Sequence, residues 1–291
     1  MPTVAIAGSG DMSVYLCEEF SKAGYSVTVL TRSVKDRLRP IKGVEQKVVD
    51  FMSVPQLHEA IGEAEALIST ILDYTMAFTE VHLNLIEACK ASPKCRRFIP
   101  SEFSGNLEDY PDQPGFYYAN HQPVRNALRG QDQLEFTLLA TSWLMDYILP
   151  TKNRHMTDVG GQFPINIAEN RCVIPGTGKE HMDLVSMRDV AQAIIQLLEA
   201  PPGSWEEYIC MSGEKTTMLK LADRLRGEYK IGLDDVEKIS LAQLIQAHTA
   251  AGSNEERWMV EYQILTISGA GDFDPAKVAA HRAKYFSRVH F

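Results

Sequence analysis

The chain has 291 residues, 45% of them apolar, and no low-complexity tract, so it can bury a complete core and is neither disordered nor fibrous. Its 29 basic and 38 acidic residues give a net charge of -9, and because a polyanion would be repelled we expect no nucleic-acid partner. The 5 cysteines are widely spaced and odd in number, which predicts reduced thiols and no metal site.

The N-terminus runs directly into a strand pattern and lacks the charged and apolar regions of a signal peptide. No apolar run reaches the roughly 18 residues that a membrane span needs. We therefore expect a cytoplasmic protein without a membrane partner.

Short apolar runs rich in Val, Ile and Leu alternate in the first half of the chain with segments of helical periodicity. This alternation predicts βαβ units and an α/β fold with a doubly wound parallel sheet. The predicted strands are residues 3–7, 26–30, 46–49, 66–69, 97–99 and 135–139. The predicted helices are residues 13–23, 54–61, 78–91 and 119–129.

The regular alternation ends after Pro150 and is followed by a looser mixture of loops, short strands and helices. The change predicts a first domain over residues 1–150 and a smaller C-terminal region over residues 151–291. Within that region, residues 183–199 (DLVSMRDVAQAIIQLLE) have amphipathic periodicity, and we expect this helix to pack back onto the first domain.

The chain opens with TVAIAGSGDMS, a strand followed by a glycine turn and a helix. Gly8 and Gly10 permit a tight turn and a close approach of the backbone to a diphosphate, and a helix N-terminus offers unpaired N–H groups there. Ser13 occupies the third position, where glycine is usual, and we expect a slightly wider turn. The pattern predicts a dinucleotide site that includes Asp11 and Met12; the alternative is a turn with a purely structural role.

The second predicted strand ends in VTVLTRS, where an NAD-specific site usually carries an acidic residue for the ribose hydroxyls. Thr31, Arg32 and Ser33 stand there instead, and an arginine can bind a 2′-phosphate with two hydrogen bonds. This predicts NADP(H) as the cofactor, although a solvated loop charge is the alternative for Arg32. The basic residues Lys35, Arg37 and Arg39 follow in the next loop. One of them can assist in binding the phosphate, although a basic loop is usually only solvated.

Two further cofactor candidates follow neighbouring strands. Asp50 lies just past the third strand, either beside the adenine of a bound cofactor or as the cap of the helix that starts near Pro55. Thr70 directly follows the fourth strand, at the edge of the sheet where ligands of open α/β sheets bind.

The segment RRFIPSEFSG, residues 96–105, resembles a Phe-x-Pro-Ser-Glu-Phe segment of the isoflavone reductase, phenylcoumaran benzylic ether reductase and NmrA-like family of atypical short-chain reductases. Further matches are VAIAG with VTVLTR, the stretch ending in MDYILP, IPGTG with VSMRDVAQAI, and YICMSG. The resemblance implies a Rossmann domain that binds NADPH, with a substrate cleft above the carboxyl ends of the strands. It makes Ser101 and Glu102 cofactor candidates, with capping as the alternative.

Reductases of this family use a lysine three residues before a Val-Arg pair, and in this chain His121 precedes Val124 and Arg125 at that spacing. The lysine is missing, but an imidazole with an unperturbed pKa of about 6.5 also exchanges protons near neutral pH. Tyr117 lies four residues earlier and can donate to a developing oxyanion if the helix begins that early. Packing or capping is the alternative role for both His121 and Tyr117.

The substrate pocket implied by the resemblance begins after the fifth and sixth strands. Its candidate apolar wall consists of Phe103, Trp143, Met145 and Tyr147, although core packing explains them nearly as well. Members of the family often serve specialised metabolism, so we expect a small aromatic, polyketide-like or alkaloid-like substrate.

These observations favour an NADPH-dependent reductase that transfers a hydride to a carbonyl, imine or conjugated carbon. The missing lysine leaves two alternatives. One is a redox-neutral isomerase, dehydratase or cyclase in which His121 moves a proton, and the other is an NADP(H)-sensing regulator without catalysis. The sequence also leaves a homodimer open.

Overall fold

The computed structural model describes residues 1–233 and 235–291. Strands and helices alternate in the first half of the chain: β1 (Thr3–Ala7), α1 (Asp11–Lys22), β2 (Ser26–Thr31), β3 (Val44–Val48), α2 (Val54–Ile61), β4 (Ala66–Ser69), α3 (Ala77–Ala91), β5 (Arg97–Ile99), α4 (Gly115–Arg129) and β6 (Glu135–Phe136). The strands form one parallel sheet in the order β3-β2-β1-β4-β5-β6. The predicted α/β fold class with a doubly wound sheet is confirmed.

The second half of the chain adds shorter elements: β7 (Leu138–Ala140), β8 (Trp143–Leu144), β9 (Ile165–Asn166), β10 (Arg171–Pro175), β11 (His181–Val185), α5 (Met187–Glu199), β12 (Tyr208–Cys210), β13 (Glu214–Thr217), α6 (Met218–Gly227), β14 (Asp235–Ile239), α7 (Leu241–Ala250), α8 (Asn254–Ile267) and α9 (Pro275–Tyr285). Single-turn 3-10 helices lie at Asp36–Leu38, Met145–Ile148, Thr151–Asn153 and Gly160–Gln162. Within residues 1–233 and 235–291, none of these helices is long and apolar enough to span a membrane.

Both faces of the central sheet are covered, because alternate residues of each strand enter different apolar clusters. Val4 and Ile6 of β1 pack in a cluster that contains residues of α1 and α5. Ala5 and Ala7 pack in a second cluster with residues of α2, α3 and α4. The sheet therefore lies between two layers of helices. The edge formed by the carboxyl ends of its strands is where a ligand site is expected.

The last predicted strand of the first half is divided. Residues 135–139 were expected to be one strand, but β6 ends at Phe136, and the N–H of Leu138 donates to the carbonyl of Glu207 at 2.7 Å. From there β7 pairs in parallel with β12 instead of continuing beside β5. The chain changes sheet at Thr137, because its next pairing partner is supplied by the second half.

The predicted single helix over residues 183–199 is wrong at its start. Asp183 belongs to β11, and α5 begins at Met187, because the side chain of Ser186 caps it by accepting the N–H of Asp189 at 3.1 Å. Helix α5 packs against α1, where Arg188 donates to Glu19 at 2.7 Å. The division of the chain near residue 150 stays a prediction.

Helix α4 begins at Gly115, four residues before its predicted start at 119, because Pro114 takes the N-cap position with an extended backbone. The difference matters for the site, since Tyr117 now lies in the first turns of the same helix as His121. Their ring centroids are 4.6 Å apart.

Candidate active site

The glycine turn between β1 and α1 has the geometry that a diphosphate requires. Gly8 has a φ of +106°, and a Cβ added there would lie 2.8 Å from Oγ1 of Thr70. A Cβ on Gly10 would meet nothing within 4 Å, so the turn faces open space. Gly10 is also the N-cap of α1 and supplies no side-chain cap, which leaves the N–H groups of the first turn available to an anion.

Ser13, at the position where glycine is usual, holds the turn against the neighbouring strand. Its side chain is buried, donates to the carbonyl of Gly8 at 3.0 Å and hydrogen-bonds Oγ1 of Thr70 at 2.7 Å. The hydroxyl of Thr70 also donates to the carbonyl of Ala7 at 3.2 Å. Thr70, a predicted cofactor residue, therefore uses its hydroxyl to brace the turn.

The end of β2 presents a free cation. Arg32 is exposed and makes no hydrogen bond or ion pair with any residue in the part of the chain that the structure describes. Thr31 beside it is buried, and its hydroxyl lies 2.8 Å from Oγ of Ser9 and donates to the carbonyl of Ser33 at 2.8 Å. This arrangement orders the backbone beneath Arg32 and leaves the guanidinium available for a phosphate.

A second arginine crosses the mouth of the glycine turn. Arg37 donates to the carboxylate of Asp11 at 2.6 Å and to the carbonyl of Ser9 at 3.0 Å. The other carboxylate oxygen of Asp11 accepts the N–H and the hydroxyl of Thr157 at 2.8 and 2.9 Å. Burial opposes ionisation of Asp11, but these hydrogen bonds outweigh it and hold its pKa below the ordinary value.

Asp50 is exposed just after β3 and does not cap α2, so that alternative is wrong. Its carboxylate accepts the N–H of Met52 at 2.9 Å, which closes a local turn, and the N-cap position of α2 belongs to Ser53. The predicted role of Asp50 beside an adenine stays a prediction.

A cavity of about 340 Å³ lies at the carboxyl ends of β1, β4 and β5. It brings together six of the predicted cofactor residues: Gly10, Asp11, Met12, Thr70, Ser101 and Glu102. The remaining candidates, Gly8, Thr31, Arg32, Ser33 and Asp50, lie outside its lining, along the ends of β1, β2 and β3.

The predicted substrate residues Phe103, Trp143 and Tyr147 also line the cavity. Met145 does not, because it starts a 3-10 helix and packs beside the apolar cluster of the second half instead. Among the lining residues in the described ranges, the charged side chains are the carboxylates of Asp11 and Glu102, with no Lys or Arg. The cavity is thus an aromatic and apolar space without a cation of its own.

Three phenol hydroxyls meet at one wall of this cavity. Oη of Tyr117 lies 2.6 Å from Oη of Tyr262, which lies 3.3 Å from Oη of Tyr74. Burial, with a further contribution from Tyr74, raises the pKa of Tyr117 well above its ordinary value. Tyr117 is therefore a neutral phenol near neutral pH, which suits a proton donor.

A family model described as the NmrA-like family matches residues 3–233 of this chain. The chain belongs to the NmrA-like family. It is 46% identical over 288 residues to oxidoreductase swnR of Metarhizium robertsii, an alignment that covers 99% of this chain and 93% of that relative.

Solved structures of several reductases have a fold similar to that of this NmrA-like protein. Leucoanthocyanidin reductase of Vitis vinifera in its binary complex with NADPH superposes with a TM-score of 0.74 and 17% identity, over 94% of this chain and 89% of that one. An isoflavone reductase gives a TM-score of 0.69 and 18% identity, over 94% and 91%. The resemblance to NmrA-like and isoflavone-reductase-like proteins and the prediction of an oxidoreductase are confirmed.

His121, the predicted counterpart of the family lysine, does not line the cavity of this NmrA-like protein. Its Nδ1 lies 2.6 Å from Oδ1 of Asn120, and its Nε2 lies 3.3 Å from the carbonyl of Ser101. Burial lowers the pKa of His121, although the charge of Glu102 opposes the shift. The imidazole contacts the ring of Tyr117 from outside the cavity lining, and its Nδ1 is hydrogen-bonded to Asn120.

The amide of Asn120 has a fixed orientation, because its Nδ2 donates to the carbonyls of Asp73 and Thr75 at 3.0 Å each. Its oxygen must then face His121, so Nδ1 of His121 carries the proton. The pair links α4 to the loop after β4, which carries Tyr74, and so supports the wall that holds the phenols.

Glu102 is engaged by a charge behind the cavity. Its carboxylate accepts from Nε and Nη2 of Arg125 at 2.9 Å each, and Arg125 also donates to the carbonyl of Pro111 at 2.8 Å. Burial opposes ionisation of Glu102, but the charges of His121 and Arg125 hold its pKa below the ordinary value. The next residue, Phe103, has a φ of +36°, so the paired carboxylate anchors a strained loop.

The sequence reasoning missed Tyr74, Thr157 and Tyr262. Tyr262 lies on α8, 145 residues from its partner Tyr117, and α8 has no pattern that marks one residue for a site. Tyr74 lies in the loop after β4, where position at the carboxyl edge of the sheet was the available signal.

Proposed function

We propose that this protein is an NADPH-dependent reductase that acts on a small specialised metabolite. The observation that carries the proposal is one cavity of about 340 Å³ that joins the glycine turn before α1 to the phenol of Tyr117. A hydride donor held by the turn and the phenol of Tyr117 would then both reach a substrate in this cavity.

The residues of the turn and of β2 fit NADP(H). The left-handed Gly8 and the open space above Gly10 accommodate a diphosphate, and the free guanidinium of Arg32 suits a 2′-phosphate. Leucoanthocyanidin reductase, of similar fold, was solved with NADPH. When bound, NADPH supplies a hydride from C4 of its nicotinamide and leaves as NADP+.

We assign the proton to Tyr117. Its phenol is neutral near neutral pH, so it carries a proton that it can give to the alkoxide or amide anion that develops as the hydride arrives. His121 contacts the ring of Tyr117 and does not line the cavity, so we give it a supporting role.

The cavity favours a substrate without carboxylate or phosphate groups. Its walls include Phe103, Trp143 and Tyr147, and the described lining offers no Lys or Arg to pair with an anion. An aromatic, polyketide-like or alkaloid-like ring with a carbonyl, imine or conjugated carbon matches these walls.

The test is an assay of purified protein with NADPH and four probes: acetophenone, cyclohexenone, dihydroisoquinoline and menadione. Loss of NADPH absorbance matched one to one by reduced product, shown by mass spectrometry, supports the proposal. Product that forms without loss of NADPH would show a redox-neutral enzyme. Tight binding of NADPH with no conversion of any probe would favour a sensor of the cofactor.

A cytosolic location and a homodimer remain parts of this proposal that rest on the sequence. Cell fractionation would test the first, and light scattering from the purified protein would test the second.

A further inference from the structure

The phenols of Tyr117, Tyr262 and Tyr74 come from three separate elements and form one chain of hydroxyl contacts. Tyr117 lies on α4, Tyr262 on α8 and Tyr74 in the loop after β4. The Tyr117–Tyr262 separation of 2.6 Å is at the short end for an O–H···O hydrogen bond, and Tyr74 follows at 3.3 Å. The three hydroxyls meet because α4, α8 and the loop after β4 pack together in the folded chain.

We propose that Tyr262 supplies the proton that Tyr117 gives to the substrate, and that Tyr74 continues the path. The inference rests on the proposed reductase function and deepens it. Tyr262 acts through Tyr117 and is therefore a positioning residue. The three phenols thus take the part that a lysine was expected to play, and His121 is not part of the path.

The proposed transfer conserves protons at every atom. As a hydride adds to the substrate carbon, the electron pair of its double bond moves to the oxygen or the neighbouring carbon or nitrogen. That atom takes the proton of Tyr117, Oη of Tyr117 takes the proton of Tyr262, and Tyr262 takes that of Tyr74. Tyr74 takes a proton from solvent water, which leaves a hydroxide ion that the buffer neutralises, so the phenols return to their starting state.

Burial explains why a second hydroxyl is needed. Tyr117 is only 9% exposed, and a phenolate left there would lose most of its hydration. A hydrogen bond from Tyr262 stabilises that developing charge, and Tyr74, which is partly exposed, ends the chain of phenols.

The charged neighbours of the pair are engaged elsewhere. The carboxylate of Glu261, next to Tyr262, accepts the N–H of Phe116 at 3.0 Å and lies 3.1 Å from Nε2 of His248. On the other side, Nδ1 of His121 is hydrogen-bonded to Asn120, and its Nε2 lies 3.3 Å from the carbonyl of Ser101. Tyr262 is the hydrogen-bond partner that the structure places on Tyr117.

The kinetic test measures the single-turnover rate of NADPH oxidation with whichever of the four probes reacts. Tyr262→Phe should lower this rate about ten- to a hundredfold and leave the KM of the probe and the Kd of NADPH unchanged. In mixtures of H2O and D2O the wild-type rate should fall along a curve, because more than one proton moves, and the Tyr262→Phe rate along a straight line. Tyr118→Phe, an exposed neighbour on α4, is the matched control and should match wild type.

A second measurement needs no turnover. The short Tyr117–Tyr262 hydrogen bond should give a low-field hydroxyl proton resonance in the complex with NADP+, absent from Tyr262→Phe and from Tyr117→Phe and present in Tyr118→Phe. A Tyr262→Phe protein that keeps this resonance, or that keeps the wild-type rate and curve, overturns the proposal. Failure of the reductase function itself would show separately, as wild-type protein that oxidises NADPH with none of the probes, whether or not NADPH binds.

Discussion

The carboxylate of Glu102 and the guanidinium of Arg125 form a two-point ion pair in which each side chain is only 2% exposed. The pair connects the loop after β5, which lines the cavity, to α4, which carries Tyr117. A charge at this depth depends on its partner, because water cannot replace it.

Arg125→Met should therefore lower the free energy of unfolding by about 3–5 kcal/mol, because Glu102 is left buried and unpaired. Urea unfolding followed by fluorescence measures the loss. Arg129→Met on the same helix is the control: Arg129 pairs with Glu207, but these side chains are 44% and 48% exposed, so the loss should stay below about 1 kcal/mol. Equal losses in the two variants would contradict the argument.

Gly8 and Gly10 should respond differently to alanine. Gly8→Ala places a Cβ 2.8 Å from Oγ1 of Thr70 at a φ of +106°, so it should cost about 1–3 kcal/mol of stability as well as cofactor binding. Gly10→Ala meets nothing within 4 Å and should keep wild-type stability, yet weaken NADPH binding because the methyl group fills the diphosphate space. Thermal unfolding and calorimetry on both variants separate the two effects. Unchanged NADPH affinity in Gly10→Ala would argue against a diphosphate at this turn.

Arg32 and Arg37 should contribute to cofactor binding in different ways. Arg32→Ala removes a free cation and should weaken NADPH about ten- to a hundredfold while NADH binding stays unchanged, because NADH lacks the 2′-phosphate. Arg37→Ala removes the contacts with Asp11 and Ser9 at the turn and should weaken both cofactors. Calorimetric titration with each cofactor tests this, and equal losses of NADPH and NADH in Arg32→Ala would remove the assignment of specificity to that residue.

His82 should make the fold sensitive to acid. It is fully buried, its Nδ1 lies 2.8 Å from the carbonyl of Phe78, and burial lowers its pKa from 6.5 to about 4. Because the folded protein holds the neutral form, this stability is complete above pH 6.5 and is lost as the pH falls from 6.5 toward 4. The full loss corresponds to about 3 kcal/mol.

His82→Leu should remove that share of the pH dependence, so its unfolding free energy should decline less than that of wild type over the same range. His290→Leu, at an exposed position, should decline as wild type does. Urea unfolding at a series of pH values makes the comparison. A His82→Leu curve parallel to the wild-type curve would show that another group carries the acid sensitivity.

The central sheet was predictable because its strands are covered on both faces and are therefore short continuous apolar runs. Three of the predicted strands, β1, β4 and β5, match the structure at both ends, and β2 and β3 differ by one or two residues. The prediction of one strand over residues 135–139 was wrong, because an apolar run does not show which strand it pairs with. Its second part pairs with β12, about 70 residues later, and periodicity carries no information on that partner.

The residues of the candidate site also divide into those that a local sequence pattern identifies and those that depend on distant contacts. Gly8, Arg32 and Tyr117 were identifiable, because each lies at a local pattern whose chemistry is set by its immediate neighbours. Tyr262 was not, because its role arises from a contact across 145 residues. The spacing of His121 from the Val-Arg pair made it a predicted catalytic residue. Only the packing of α4 shows that its imidazole contacts Tyr117 and does not line the cavity.

Helix α8 reaches the cavity from near the end of the chain, whereas the residues suited to the nucleotide lie mostly in the first quarter. Two residues of α8, Tyr262 and Leu265, line the cavity, so changes in this helix alter the cavity wall without altering the residues of the glycine turn. A chimera that takes Asn254–Ile267 from a relative should therefore change which metabolites are accepted and keep the preference for the coenzyme.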